Sequence, residues 1–108
     1  MTALQRLEKN GIILNYDVVV ELCQKYHITE LSIFGSSLRD DFRENSDVDI
    51  LVTFDETKER NPWDIIDLKE LFSELLNREV DIVEKECIRN PVKKTHILSS
   101  YEVVYAQK

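Results

Sequence analysis

Two hydrophobic periods alternate along this chain, and their alternation lays out its elements. From Asp17 to Tyr26 the apolar positions Val18, Val19, Leu22, Cys23 and Tyr26 recur at three- and four-residue steps, which predicts an amphipathic helix. Leu31 to Phe34 then reads as a strand, led in by His27-Ile-Thr-Glu30. Ser36 to about Phe42 can form a short helix, and Val48 to Phe54 predicts a second strand. The charged, proline-bearing stretch from Asp55 to Pro62 breaks the apolar pattern as a loop does. Asn61-Pro62 marks a helix start, because proline is tolerated in a first turn, and Trp63 to Leu76 follows with a broad apolar stripe. Glu79 to Val83 predicts a third strand, with Val80 and Ile82 on one face and Asp81 on the other. Asn90-Pro91 opens another helix, running to about Ser99, and Val103, Val104 and Tyr105 close the chain as a short strand. Strands and helices in alternation predict an α/β (α+β) fold, a small sheet with helices packed on it. The pattern leaves strand order open.

Length narrows this to one domain over residues 1–108, with one modest core and no room for a second, substrate-binding domain. Hydrophobic residues make up 43% and charged residues 32%, the balance of a soluble globular protein. No apolar run approaches the ~18 residues of a membrane span, and the start lacks the apolar stretch of a signal peptide. A cytoplasmic protein with no membrane partner is expected. Cys23 and Cys87 lack metal-type spacing and are expected to be reduced structural thiols. The net charge of −7 argues against a stable grip on nucleic acid, which depends on neutralising phosphates. It suits a site that gathers metal cations before it meets a polyphosphate.

The candidate chemistry lies between residues 35 and 49. Gly35-Ser36 follows the first apolar strand as a sharp turn would, and Asp47-Val-Asp49 opens the second. Side chains two apart on a strand share a face, with Cα atoms about 6.6 Å apart at ~3.3 Å rise per residue. Two carboxylates on one face, beside a glycine turn, can hold Mg²⁺ and the phosphates it neutralises. Asp81 interrupts an otherwise apolar strand, where an acid is disfavoured unless its face opens onto a cleft or water. It is the candidate third ligand and the group that would take a proton from an attacking hydroxyl. Amides around Gly35 and Ser36, with the Ser36 hydroxyl, would hold the outer phosphates of a nucleotide, and Arg39 could reach the same phosphates. Singly, each has an ordinary explanation: Gly-Ser is usually a turn, Asp-Val-Asp a solvated strand start, Asp81 a strand-edge acid, Arg39 a surface residue. Their joint spacing across strand, turn, strand, helix and strand points to nucleotidyl transfer. His27 and His96 show no ligand spacing and read as surface or helix-end residues. The Trp63 stripe reads as core or a subunit contact.

The run from Gly35 to Phe54, Gly-Ser followed after ten residues by Asp-Val-Asp, resembles the signature of the polymerase-β-like nucleotidyltransferase superfamily. Small size and the strand around Asp81 are similar to its minimal nucleotidyltransferases (MNT), antitoxins encoded beside HEPN-domain toxins. The resemblance spans roughly Asp17 to Tyr105. It implies a small mixed sheet of the polymerase-β-like type. It also implies Asp47, Asp49 and Asp81 as the Mg²⁺-binding acids, in a two-ion site, and Gly35 and Ser36 as holders of the ATP triphosphate. The implied activity moves AMP from ATP to a tyrosine hydroxyl of a partner HEPN ribonuclease, in a hetero-oligomer, and so silences the toxin. Two positions depart from the commonest pattern: Leu38 stands for a small residue and Asp40 for a glycine. Two other functions remain open at this stage: a non-catalytic antitoxin acting by binding alone, and a small-molecule nucleotidyltransferase with a separate acceptor-binding chain.

Overall fold

A computed structural model describes residues 2–38, 47–59 and 61–107. It begins with a helix that the sequence reading does not include, α1 (Ala3–Lys9). A reciprocal cap starts it: the Thr2 hydroxyl accepts from the Gln5 amide at 3.1 Å, and the Gln5 side chain accepts from the Thr2 amide at 2.8 Å. Leu7 anchors α1 in the core. The next helix, α2 (Tyr16–Lys25), starts where the Asn15 side chain accepts from the Asp17 and Val18 amides, and it buries Val19 and Cys23. His27, at φ 57°, turns the chain out of the helix and directly into β1 (Ile28–Phe34). This strand begins earlier than Leu31 because Ile28 is itself buried and paired with Phe54, although polar Thr29 and Glu30 mask the pattern.

A 3₁₀ turn over Gly35–Leu38 stands where the sequence predicts a short helix from Ser36, whose far end lies outside the described residues. The remaining elements fall close to their expected places: β2 (Val48–Phe54), α3 (Asp64–Leu76), β3 (Val80–Glu84), α4 (Pro91–Leu98) and β4 (Tyr101–Ala106). The Asn90 side chain caps α4 by accepting from the Val92 and Lys93 amides, with Pro91 in the first turn.

Among the described residues one four-stranded sheet forms, in the order β3-β2-β1-β4. β1 runs antiparallel to both β2 and β4, whereas β2 and β3 are parallel. A parallel neighbour requires a crossover, which α3 supplies between β2 and β3. The sheet is therefore mixed, as the resemblance implies.

Its two faces differ. On one, Leu31 and Ile33 of β1 and Val48, Ile50, Val52 and Phe54 of β2 meet Leu7, Val19, Cys23, Leu68 and Phe72 from the first three helices. Each large side chain fully buried there, such as Phe72 or Leu68, contributes roughly 1.5–3 kcal/mol. On the other face Phe34 and Leu51 meet Ile97 of α4. The expected stripe on α3 is narrower than its apolar content suggests. Leu68 and Phe72 point inward, but Trp63 precedes the helix and stays 65% exposed. Cys23 is a buried thiol as expected, but Cys87 is exposed, its Sγ donating to Glu84 Oε2 at 3.2 Å. Among the described residues no helix is long and apolar enough to cross a membrane.

Candidate active site

Strand pairing assembles the site. Phe34, the last residue of β1, pairs with Asp49 of β2, so the chain leaving β1 must turn beside the Asp49 side chain. Gly35 makes that turn at φ 75°, in the left-handed region that costs an L-residue about 1–2 kcal/mol. Its lack of a side chain has a second consequence. A Cβ built on Gly35 would overlap Asp49 Oδ2 and lie 3.4 Å from Asp49 Cγ. The bare glycine backbone is therefore held against a carboxylate.

Asp81 comes to the same place from the other side. In the parallel β2–β3 register Asp49 pairs with Asp81, after Val48 with Val80 and before Ile50 with Ile82. Paired residues on adjacent strands share a face, at the ~4.7–4.9 Å interstrand spacing. Val48 and Val80 are buried on the core face, which leaves the two acids on the opposite one. Asp49 is half-buried and Asp81 exposed. Asp47 stands immediately before β2, two residues from Asp49, and is exposed. Asp49 and Asp81 are thus adjacent, and Asp47 sits at the entrance to the same strand.

The next row on that face is apolar. Leu51 pairs with Val83, and Phe34 and Ile97 close over Leu51. Sequence reasoning did not foresee this floor. It could have been found from the two-residue step, since Leu51 follows Asp49 as Val83 follows Asp81. An apolar floor lowers the local dielectric and strengthens charge interactions above it.

Among the described residues no three His, Cys, Asp or Glu side chains converge as a ready ligand set for a metal ion. The donor chemistry nonetheless fits Mg²⁺, which takes hard oxygens, often from one or two carboxylates with substrate phosphates completing the shell. Arg39 and the Ser36 hydroxyl lie outside the described residues. His27 and His96 are exposed, at a helix end and on α4.

The stretch of chain that builds this arrangement matches a known family. The model for the nucleotidyltransferase domain matches residues 17–104. The chain belongs to the nucleotidyltransferase domain family. It is therefore an enzyme of the nucleotidyltransferase class, and its polymerase-β-like fold and family resemblance hold. The protein adenylyltransferase MntA of Thermococcus cleftensis is 38% identical over 85 residues, covering 79% of this chain and 81% of that protein. Among solved structures, a toxin–antitoxin with AMP-PNP superimposes with a TM-score of 0.68 at 18% identity, covering 88% of this nucleotidyltransferase and 76% of that chain. A tri-AMPylated Shewanella oneidensis HEPN toxin in complex with an MNT antitoxin gives a TM-score of 0.61 at 16% identity, covering 94% and 73%. At such identities these two structures speak to the fold.

Proposed function

We propose that this nucleotidyltransferase is an antitoxin that moves AMP from ATP to a tyrosine hydroxyl of a cognate HEPN ribonuclease toxin and so silences it. The observation that carries this reading is the pairing of Asp49 with Asp81, with the Gly35 backbone against the Asp49 carboxylate. The name of the Thermococcus cleftensis relative and the AMPylated state of the Shewanella oneidensis toxin support the direction of transfer.

Asp47, Asp49 and Asp81 are the residues that would hold Mg²⁺. When bound, the metal supplies charge neutralisation at the phosphates and a more acidic attacking hydroxyl. The chain's own contribution is positioning and proton transfer. Gly35 and Ser36 present backbone amides to the outer phosphates, the Ser36 hydroxyl and Arg39 assist, and the α-phosphorus lies over the acids. The acceptor oxygen forms a bond to the α-phosphorus while the bond to the bridging oxygen of pyrophosphate breaks, its electron pair leaving on that oxygen. The hydroxyl proton passes to the Asp81 carboxylate, which its exposed position leaves open to the acceptor. The apolar floor of Leu51, Val83 and Phe34 keeps water from one side of this centre. Enzyme and toxin form a hetero-oligomer in the cytoplasm, with residues 1–108 acting as one domain.

Incubating the protein with ATP labelled at the α-phosphate, Mg²⁺ and the HEPN partner tests the reading. Label on the partner, lost when its acceptor tyrosine is changed to Phe, is the expected result. A complex that forms and silences the toxin without label would replace catalysis by simple occlusion.

A further inference from the structure

Among the described residues the sheet has two edges, β3 and β4, and they differ. The β1–β4 ladder shifts register between Leu31 and Ser32, and such an irregularity twists an edge away from further pairing. The β2–β3 ladder runs without a shift over five pairs, from Val48–Val80 to Val52–Glu84. β3 also holds no proline or lysine, residues that commonly blunt an edge. The Val48 amide donates to the Glu79 carbonyl at 3.0 Å, so Glu79, Asp81 and Val83 turn their backbone groups toward β2. Val80 and Ile82 therefore turn theirs outward, on either side of Asp81.

Resting on the adenylyl-transfer reading above, we propose that the acceptor segment of the partner protein adds to this edge as an extra strand, with its tyrosine opposite Asp81. A strand added there bonds to the outward N–H and C=O groups of Val80 and Ile82. The residue opposite Asp81 shares its face, one interstrand step of ~4.7–4.9 Å away. The order across the sheet is then the Gly35 turn, Asp49, Asp81 and the acceptor. In-line displacement needs the attacking oxygen opposite the leaving group. On that reading the outer phosphates lie at the Gly35 end, and the β3 edge is the opposite end. A tyrosine hydroxyl also stands further from its backbone than a carboxylate does, at the height of a phosphate resting on the acids. Its oxygen bonds to the α-phosphorus as the bond to pyrophosphate breaks, and its proton passes to Asp81. A second copy of this chain does not suit the edge. Two β3 strands side by side would set Asp81 and Glu84 of both copies together, and like charges on paired strands repel. The occupant is therefore an extended stretch of a different chain, without acidic residues beside its tyrosine.

Hydrogen exchange resolved amide by amide by NMR tests this on the intact protein. The protein is compared alone and in complex with the HEPN partner, Mg²⁺ and α,β-methylene-ATP, whose α–β link does not break. Strand addition slows exchange about tenfold or more at the outward Ile82 amide. It leaves Asp81 and Val83, already bonded to β2, at their earlier rates. Outward amides of β4 in the same spectra report any general stiffening. A complex in which Ile82 exchanges as fast as in the free protein, or in which all β3 amides slow alike, overturns the proposal. Protection at Ile82 with no AMP on the partner's tyrosine, once ATP replaces the analogue, would sink the catalytic reading and leave a strand-docked antitoxin. AMP transfer with Ile82 unprotected would leave catalysis standing and remove the docked strand.

Discussion

Gly35 and Asp49 are locked together: the α-carbon of one lies where any larger residue would enter the carboxylate of the other. The protein supplies its own control for this contact. Gly11 shares the left-handed backbone, at φ 81°, but a Cβ there would meet nothing within 4 Å. Gly11→Ala is therefore expected to cost about 1–2 kcal/mol of stability and leave AMP transfer intact. Gly35→Ala carries the same strain and also displaces the carboxylate, so transfer should disappear. Unfolding melts and α-labelled ATP assays on the two variants make the comparison. Equal activity in both would mean that the glycine turn does not hold the reacting groups.

Adjacent acids on parallel strands lead to a second expectation. Asp81→Asn preserves shape at an exposed position and removes the proposed proton acceptor, so stability should stay within about 0.5 kcal/mol of wild type. Transfer should fall roughly 10²-fold or more. Asp49→Asn is expected to act as strongly, and the double variant only slightly worse than either, because groups serving one reacting centre do not add. Single-turnover rates with saturating Mg²⁺ and ATP are the measurement. Independent multiplicative losses would separate the roles of the two acids.

Most of this arrangement was legible from spacing. The two-residue step from Asp47 to Asp49 and the lone acid in the strand around Asp81 fixed the ligand candidates, and Asn90-Pro91 fixed a helix start that the structure keeps. What spacing could not supply was register. Nothing local says that β3 lies parallel to β2 with Asp81 opposite Asp49, because pairing is settled by which faces both strands bury. The first helix escaped for a different reason. With Ala3, Leu4 and Leu7 as its apolar residues, α1 is too short for periodicity to stand out, and its signal was the Thr2-to-Gln5 capping box. Of the two readings of Trp63, core or subunit contact, its exposure at the start of the helix rules out the first.

Stability at acid pH should report one particular turn. The Asp55 carboxylate accepts from the Thr57 hydroxyl at 2.6 Å and from the Thr57 amide at 2.9 Å. These hydrogen bonds, with a smaller contribution from Lys58, hold its pKa below the ordinary 3.8. A group whose pKa is lower in the folded state stabilises fully above its unfolded value and loses that contribution as pH falls through the folded one. The loss therefore belongs below pH 3.8. Asp55→Asn should flatten the stability profile in that range and leave it parallel to wild type near neutrality. Denaturant titrations from neutral pH down to the acid limit measure the difference. An unchanged acid limb would mean that the turn holds in the unfolded chain as well.

The two cysteines should part company in both reactivity and linkage. Burial pushes the Cys23 thiol up to about 12, whereas Cys87 is exposed beside Glu84. Because the thiolate is the nucleophile, a thiol reagent at pH 8 should modify Cys87 in the native protein and spare Cys23 until unfolding. Cys87→Ser should leave the native protein unreactive, and denaturant should then restore one equivalent. The linkage runs opposite to that of Asp55. A thiol with a raised folded pKa stabilises fully below its unfolded value of 9.0, and its contribution declines as pH rises from there toward 12. Cys23→Ala should remove that alkaline decline while opening a small cavity in the core formed by Val19, Ile28 and their neighbours. Rapid native labelling in Cys87→Ser would mean that the thiol reaches solvent through local opening.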